Sequence, residues 1–391
     1  MSTLSASNWS QPCAITTEIL GSAEDFVRIW QPLAALRDSI GMGQDVLTDP
    51  LHFLASTDAR RRPCAVACWM GEELVGVLFA TARFVFGLPT GCAMAGDFIG
   101  RGSLLCLPEH QSAVIDSSVS CLMRRAVHSL QLCFTPAESA SPNLYGLVVK
   151  QFDRRIPGDR MALANTYDGF LSTLGKNTRR NIRYYTRRAA AAGMVFTPEV
   201  SAGEYASAVE RLSRGTRFAI GAEAFARVER LMELHGGTRF ALRDRSGEIV
   251  ATLCGFSRHG RFHLLTQNND AGHADLSLSL VLRGLTVEHL IATGHSEMQF
   301  MGGSSLCFAR FCTELDYRTL FVDRRQSITT PIKLLTSRLV GMLLAWKRPF
   351  PGSLAVLSGS YLASTTLVTR TALMPALMLE QECLAREPQA A

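Results

Sequence analysis

The chain has 391 residues, of which 47% are hydrophobic and 19% charged, with a net charge of +6. That length allows two or three domains with a real core, and the composition is that of an ordinary soluble globular protein. The charge is modest and mostly local, so it does not by itself call for nucleic acid. Eleven cysteines are present, scattered and without a C-x-x-C pair. They read as small buried hydrophobes in a reducing cytosol, and no spacing suggests a zinc site. Met1-Ser-Thr-Leu-Ser-Ala-Ser-Asn8 lacks a basic region and an apolar core, so no signal peptide is expected.

Ala14–Leu20 predicts a first strand. Ser22 is positioned to cap a helix from Ala23 to about Leu36, with Phe26, Ile29, Trp30 and Leu33 on one face. A short helical segment follows Asp49-Pro50. The charged loop Asp58–Pro63 leads to a hairpin, Cys64–Met70 and Leu74–Thr81, turning at Gly71-Glu72-Glu73. Phe98-Ile99 and Ser103–Leu107 supply strand material, and Ala113–Leu130 reads as a helix. Leu144–Val149 is a strand. Ala137–Asn143 is turn-rich, the lobe boundary is expected near Arg154–Gly158, and Arg160–Ala164 opens the second lobe as a strand. Helices are expected at Tyr167–Ala192, Ala202–Leu212 and Ala222–His235, the last ending at Gly236-Gly237.

From Arg239 the pattern is strand, strand, strand, polar loop, helix, strand. Ser246-Gly247 turns the first hairpin, and Arg258-His-Gly-Arg261 turns the chain into Phe262–Thr266. The chain then becomes abruptly polar at Gln267-Asn268-Asn269-Asp270. Asp275 is a plausible N-cap for a helix ending near Gly294, and Met298–Met301 runs into Gly302-Gly303. Gly71–Leu78 echoes Gly247–Leu253 apart from one inserted residue. Past Arg325, Ile328–Trp346 looks amphipathic, and Pro349–Thr369 holds no charged residue. That last stretch fits helices packed on the body, an interfacial or partner-binding helix, or a membrane span.

Four stretches in this order resemble the FemAB-like and CelD-like branch of the GNAT acyltransferase superfamily. They are the basic run Lys176–Arg188, the hairpin Gly247-Glu248-Ile249-Val250-Ala251, the strand-end Asn269-Asp270 and the late glycines Gly302-Gly303. The resemblance covers residues 160–322 well and 20–150 loosely. It implies an α/β (α+β) fold of two tandem GNAT-like lobes with mixed, mostly antiparallel sheets flanked by helices, plus a C-terminal helical tail. The expected division is 1–155 for a degenerate N-terminal lobe, 156–325 for the acyltransferase lobe and 326–391 for the tail.

Candidate chemistry follows from residues and resemblance together. Lys176, Arg180, Arg183 and Arg187 share one helical face. The face reads either as solvated or as a phosphate contact to CoA or a larger anion. Asp270, at a strand end, is the first candidate for a base or amine-positioning carboxylate, although an Asx turn explains it equally well. Gln267, Asn268 and Asn269 are candidates to hydrogen-bond an acyl or pantetheine chain. His263 is a structural histidine or a base. Ser277 and Ser279 stand where the family meets the pyrophosphate, but without its glycine, and Asp275 would repel phosphate. Gln299 stands where the family has an acid, and Phe308 and Arg310 where it has an aromatic–lysine pair. A cysteine nucleophile, Cys254 or Cys307, finds no support in spacing.

The resemblance thus implies a cytosolic acyltransferase that passes an acyl group from an acyl-CoA co-substrate to an amine acceptor, with no permanently bound cofactor and no metal. Two other readings stand beside it. One is an aminoacyl-tRNA-dependent FemAB-type transferase, with tRNA as partner. The other is a non-catalytic accessory protein of polysaccharide or cell-envelope biosynthesis. The tail is the candidate for peripheral membrane or protein contact.

Overall fold

A computed structural model describes residues 15–324 except 44, 98–101, 126, 135–143, 145–146, 158, 215–219, 302–307 and 309. The proposed tail, the Gly302-Gly303 pair, Cys307 and strand residues Phe98-Ile99 lie outside the described residues. The chain divides into two compact units, Met1–Asp153 with Arg318–Thr330, and Arg154–Tyr317 with Pro331–Ala391.

The first unit opens with β1 (Thr16–Leu20) and α1 (Ala23–Arg28). Ser22 caps α1 in a full capping box: its side chain accepts from the Asp25 N–H, and the Asp25 carboxylate accepts from the Ser22 N–H. The single helix expected here is two, because the chain breaks at Ile29 before α2 (Trp30–Ser39). Then come α3 (Pro50–Ala55), β2 (Arg61–Pro63), β3 (Ala65–Met70), β4 (Glu73–Leu78), β5 (Ala80–Val85), β6 (Leu88–Ala95) and β7 (Leu104–Cys106). Next are α4 (Gln111–Arg124), β8 (Ser129–Phe134) and β9 (Leu147–Pro157). The expected helix Ala113–Leu130 is therefore shorter. Its last residues belong to β8, whose Leu130, Leu132 and Phe134 are buried by pairing and packing that an isolated apolar run does not reveal. β9 likewise runs on to Pro157, into the stretch where the lobe boundary is expected.

The second unit contains β10 (Arg160–Ala162), α5 (Tyr167–Thr173), α6 (Lys176–Ala191), β11 (Val195–Thr197), α7 (Ala202–Arg214) and α8 (Ala222–His235). It continues with β12 (Thr238–Arg243), β13 (Ile249–Arg258), β14 (Arg261–Asn269), a 3-10 helix (Ala271–Leu276), α9 (Leu278–Ala292) and β15 (Glu297–Phe300). The helix expected over Tyr167–Ala192 is broken by extended residues Leu174 and Gly175. α8 ends as its sequence dictates, with Gly236 in the left-handed region.

Local chemistry sets the second sheet. Asp244 turns the β12–β13 hairpin by accepting from the Ser246 N–H, the Ser246 hydroxyl and the Glu248 N–H, while Gly247 takes a φ of 86°. His259 and Gly260 both take positive φ in the next two-residue turn, as a primed hairpin turn requires. Strand order is β10-β15-β14-β13-β12-β11, antiparallel except for the β14–β15 pair. Ala251 and Leu253 face a core shared with Ile182 of α6 and Val281, Leu282 and Val287 of α9.

The first unit repeats this core. β5 and β6 are antiparallel, α4 lies between β6 and β8 in the chain, and β8 returns parallel to β6. That is the arrangement of β13, β14, α9 and β15. On its other edge β8 takes β16 (Glu314–Arg324) as an antiparallel partner, from Arg318↔Phe134 to Asp323↔Ser129. The fold is thus mixed α/β, with mostly antiparallel sheets flanked by helices, as the resemblance implied. Among the described residues no helix is long and apolar enough to cross a membrane.

Candidate functional site

Among the described residues the parallel pairing of the second sheet ends at one place. β14 and β15 pair in parallel from Arg261↔Glu297 to Leu264↔Phe300, and the Met301 N–H reaches the Leu264 carbonyl at 3.0 Å. β14 then runs on to Asn269 while β15 stops. Just there β14 changes register against β13, between Cys254↔Thr266 and Gly255↔Leu264, leaving Leu265 as the extra residue of a bulge. The Asp270 N–H bonds the Val250 carbonyl at 2.8 Å. Antiparallel strands alternate, so the peptide groups of Gln267 and Asn269 point away from β13, to the side where no strand pairs among the described residues.

Side chains of Gln267, Asn268 and Asn269 alternate across the sheet. Gln267 and Asn269 lie toward α9 and interlock. The Gln267 amide donates to Asn269 Oδ1 and to the Ser279 carbonyl, each at 3.1 Å, and Arg283 Nε donates to Gln267 Oε1 at 2.6 Å. The Arg283 guanidinium also lies over the Phe300 ring, 5.9 Å from its centroid, so it spans the two parting strands. Sequence reasoning missed Arg283. Its signal was the position one turn inside the helix that follows the polar loop. Asn268 turns to the opposite face, across from Thr252.

His263 lies at the level where the strands part, 1% exposed, stacked 4.8 Å from Phe256, which stacks at 4.1 Å on His235. Its neighbour across the parallel pair is Gln299, whose amide donates to Asp159 Oδ2 at 2.9 Å. Asp159, Gln299 and His263 are all at most 3% exposed. The neutral Gln299 of β15 is thus joined by a carboxylate from the residue before β10. No local signal marks Asp159, because 140 positions separate it from Gln299.

Asp270 stands at the far end of β14, about 20 Å from His263 at the rise of an extended strand. It caps the 3-10 helix: Oδ1 accepts from the Gly272 N–H at 2.9 Å, and Oδ2 pairs with His273 Nδ1 at 2.8 Å. The Gly272 N–H, followed by the His273 contacts, holds its carboxyl below the ordinary carboxylate range, against partial desolvation. A carboxylate so held is a weaker proton acceptor.

Asp275 is not the N-cap of α9. That position is Ser277, in the left-handed region with φ 47° and no side-chain cap. Asp275 instead pairs with Arg188 of α6 at 2.8 Å, so its charge at the helix start is compensated. On α6, Arg183 pairs with Asp168 at 3.1 Å, and Arg180 and Lys176 are exposed. Arg310 is exposed and donates to Thr178 of α6 at 2.6 Å while lying 5.1 Å from the Phe311 centroid. Phe308 stacks beneath Phe300 at 6.3 Å.

The structure therefore gathers Gln267, Asn269 and Ser279 with Arg283 on one face, and His263 and Asn268 on the other. Asp270 and Ser277 sit in the loop between β14 and α9, and Arg180, Arg183 and Arg310 are on or against α6. Cys254 is fully buried, and burial pushes its thiol up to about 12, so it is a poor nucleophile. Among the described residues no group of three or more His, Cys, Asp or Glu could hold a metal ion.

This core, with its parting parallel strands, is where the chain meets known families. Residues 176–311 match the family model described as Acetyltransferase (GNAT) domain, in line with the resemblance to that superfamily. No curated protein matches the chain by sequence. Among solved structures, FemX is similar at 10% identity and a TM-score of 0.49, over 74% of this chain and 94% of its own. A tandem GNAT protein from the clavulanic acid biosynthesis pathway is similar at 12% and 0.49, over 80% and 99%. L-PGS from Bacillus licheniformis is similar at 13% and 0.45, over 79% and 96%. At these identities and scores the similarity says nothing about substrate.

Proposed function

We propose that the chain is an N-acyltransferase of the FemAB-like branch, transferring an acyl group from an acyl-CoA thioester to an amine. The observation that carries this reading is that, among the described residues, the parallel pairing of β14 with β15 ends at Leu264 and Phe300 while β14 continues to Asn269. An extended pantetheine chain would add to that edge by hydrogen bonds to the peptide groups of Gln267 and Asn269, in the manner of an added strand. Gln267, Asn269 and Arg283 would form its side wall. The diphosphate would lie toward Ser277 and Ser279 at the start of α9, where N–H groups and the helix dipole favour an anion, with Arg180 and Arg183 contributing long-range attraction from α6. The repeated β-β-α-β core of the first unit supports reading it as a degenerate second lobe.

Chemistry would centre where the strands part. The acceptor ammonium loses a proton, its lone pair attacks the thioester carbonyl, and the C–S bond breaks as the thiolate leaves and is protonated. Asp159, held by Gln299, whose neighbour across the parallel pair is His263, is the carboxylate we assign to the ammonium and its proton. Asp270 and His263 are too far apart on β14 to serve one reacting centre. We therefore assign Asp270 to holding the loop and Arg310 to bracing α6.

A second reading, an aminoacyl-tRNA donor, is favoured by one observation. α6 carries six cations and no acid, and two of them pair with carboxylates among the described residues. Tyr184, 48% exposed, stands among them.

Isothermal titration with acetyl-CoA and longer acyl-CoAs at two salt concentrations tests the proposal. Micromolar binding that survives 0.3 M salt supports acyl-CoA. Absence of binding to every acyl-CoA, with tRNA binding that collapses as salt rises, replaces it with the second reading.

A further inference from the structure

The first unit's β5–β6 hairpin ends in a two-residue turn, Phe86-Gly87, closed by the pairs Phe84↔Pro89 and Val85↔Leu88. Both turn residues take positive φ, 52° at Phe86 and 77° at Gly87. Asparagine or glycine enters that region cheaply, and a bulky side chain does so at a cost in strain. The chain nevertheless sets a phenylalanine there, 71% exposed, and follows it with Leu88, 70% exposed. The fold gains little from either side chain, since both leave most of their apolar surface in water. Behind this tip stand four arginines: Arg60, Arg62 and Arg83 are exposed, and Arg61 is partly so. Arg61 lies across from Arg83, the Arg60 carbonyl accepts from the Phe84 N–H at 2.7 Å, and the Arg62 guanidinium lies 4.2 Å from the Phe84 centroid. Like charges facing each other across two strands are unfavourable by themselves. β2, β5 and β6 carry no acidic residue.

We propose that this hairpin tip docks the protein on a bilayer of acidic lipids, with Phe86 and Leu88 entering the acyl-chain boundary and the arginines lying on the phosphates. The dimensions fit. Arg83 is three residues from Phe86, about 10 Å at the rise of a strand, and apolar groups at a membrane surface sit about 5–10 Å into the headgroup boundary. With the tip at that depth the guanidiniums stand at the level of the phosphates, which they bind through their planar forks. The anionic surface also answers the repulsion between Arg61 and Arg83. Two other partners fit the tip less well. Two projecting side chains fall far short of the about 800 Å² per partner that a stable protein interface covers. Single-stranded nucleic acid is held by bases stacking on successive aromatic faces, whereas the turn residue Phe86 has aliphatic Val85, Leu88 and Pro89 around it. The contact belongs to the first unit and is independent of which donor the second unit uses.

The test is sedimentation of the full chain with vesicles of phosphatidylcholine, with and without phosphatidylglycerol, at low and high salt. Wild type should bind the acidic vesicles, release them as salt rises, and leave pure phosphatidylcholine unbound. Phe86→Asn suits the turn, so its melting temperature should equal or exceed that of wild type while its partition to acidic vesicles falls about tenfold. Leu88→Ser should lower partition to a similar degree, and Arg62→Gln combined with Arg83→Gln by about tenfold or more. Phe86→Trp should add a blue-shifted emission on acidic vesicles that brominated acyl chains quench. Wild type that binds no vesicle overturns the proposal. So does binding that Phe86→Asn and Leu88→Ser leave intact, which would place the contact elsewhere on the chain. Single-stranded RNA that binds wild type but not Phe86→Asn, with vesicles unbound, would reassign the tip to nucleic acid. A concentration-dependent dimer abolished by Phe86→Asn, with vesicles unbound, would assign it to a second copy of the chain.

Discussion

The Gln299 amide donates to the Asp159 carboxylate at 2.9 Å, across 140 positions of sequence and at a point where both side chains are buried. The contact supplies an acid beside β15 where the strand's own residue is neutral. If that carboxylate takes the ammonium proton, Asp159→Asn should lower kcat by about 10²–10⁴-fold, the usual span for a lost general base. Thermal melting should show a folded protein, because asparagine keeps an oxygen for the Gln299 amide. A kcat within tenfold of wild type would remove Asp159 from the mechanism. Gln299→Ala should lower kcat less, as it orients the carboxylate without replacing it.

Asp270 is expected to matter for stability more than for turnover. Its folded pKa is depressed by the Gly272 N–H and by His273. The stability it contributes is therefore present above its unfolded value, about pH 4, and is lost as pH falls through the lower folded value. Denaturant unfolding should find Asp270→Asn less stable than wild type at pH 6, with the difference shrinking below pH 4. Its kcat should stay within about tenfold of wild type. A loss as deep as that expected for Asp159→Asn would restore Asp270 as the base.

Arg283 ties Gln267 on β14 to Phe300 on β15. Arg283→Ala removes the fixed bond to Gln267 and the cation above the ring, so the wall of the donor groove loosens. Donor KM should rise about tenfold, in line with loss of a charge-assisted hydrogen bond, and acceptor KM should change little. Lysine at this position should rescue only part of the loss, since it lacks the planar fork. An unchanged donor KM in the alanine variant would separate Arg283 from donor binding.

Gly255 lies at the bulge where β14 changes register, and a Cβ there would overlap the His263 carbonyl and the Phe262 ring edge. Both neighbours belong to the sheet interior and neither can yield cheaply. Gly255→Ala should destabilise the protein by about 1–3 kcal/mol, measured by urea unfolding. It should also lower activity, because the bulge fixes where β14 leaves β15.

Burial holds the Cys254 thiol at a pKa of about 12, so it carries almost no thiolate at neutral pH. Iodoacetamide at pH 8 should leave Cys254 unlabelled in the folded protein and label it after unfolding, as read by peptide mass spectrometry. No acyl-cysteine at this position should be trapped with acyl-CoA. Labelling of the native protein would reopen a covalent route.

Elements governed by neighbours in sequence were legible from sequence alone. The Ser22 cap, the Ser246-Gly247 turn, the turn at His259-Gly260, the Gly236 helix stop and the order of strands and helices from Arg239 to Phe300 are set by local dihedral preference and by hydrophobic period. The four ordered stretches that carry the family resemblance are also sequence-borne. What lay beyond reach depends on distant partners. Ser129-Leu130 ended a helix on paper but open β8, because β6 and β16 flank that strand. Asp275 looked like a cap and became the ion-pair partner of Arg188. Gln267, Asn268 and Asn269 read as one polar cluster, yet the two-residue period of the strand sends Asn268 to the opposite face. The turn at Arg258–Arg261 marked where β14 begins, but Gln267–Asn269, expected as a polar loop, continue the strand because they pair with β13. Only tertiary packing decided that Asp159 meets Gln299, that Arg283 spans the parting strands, and that Arg318–Asp323 pair with the first unit. Each of those contacts joins atoms that chain connectivity leaves far apart, and they are chosen by the burial of the whole sheet rather than by any local preference.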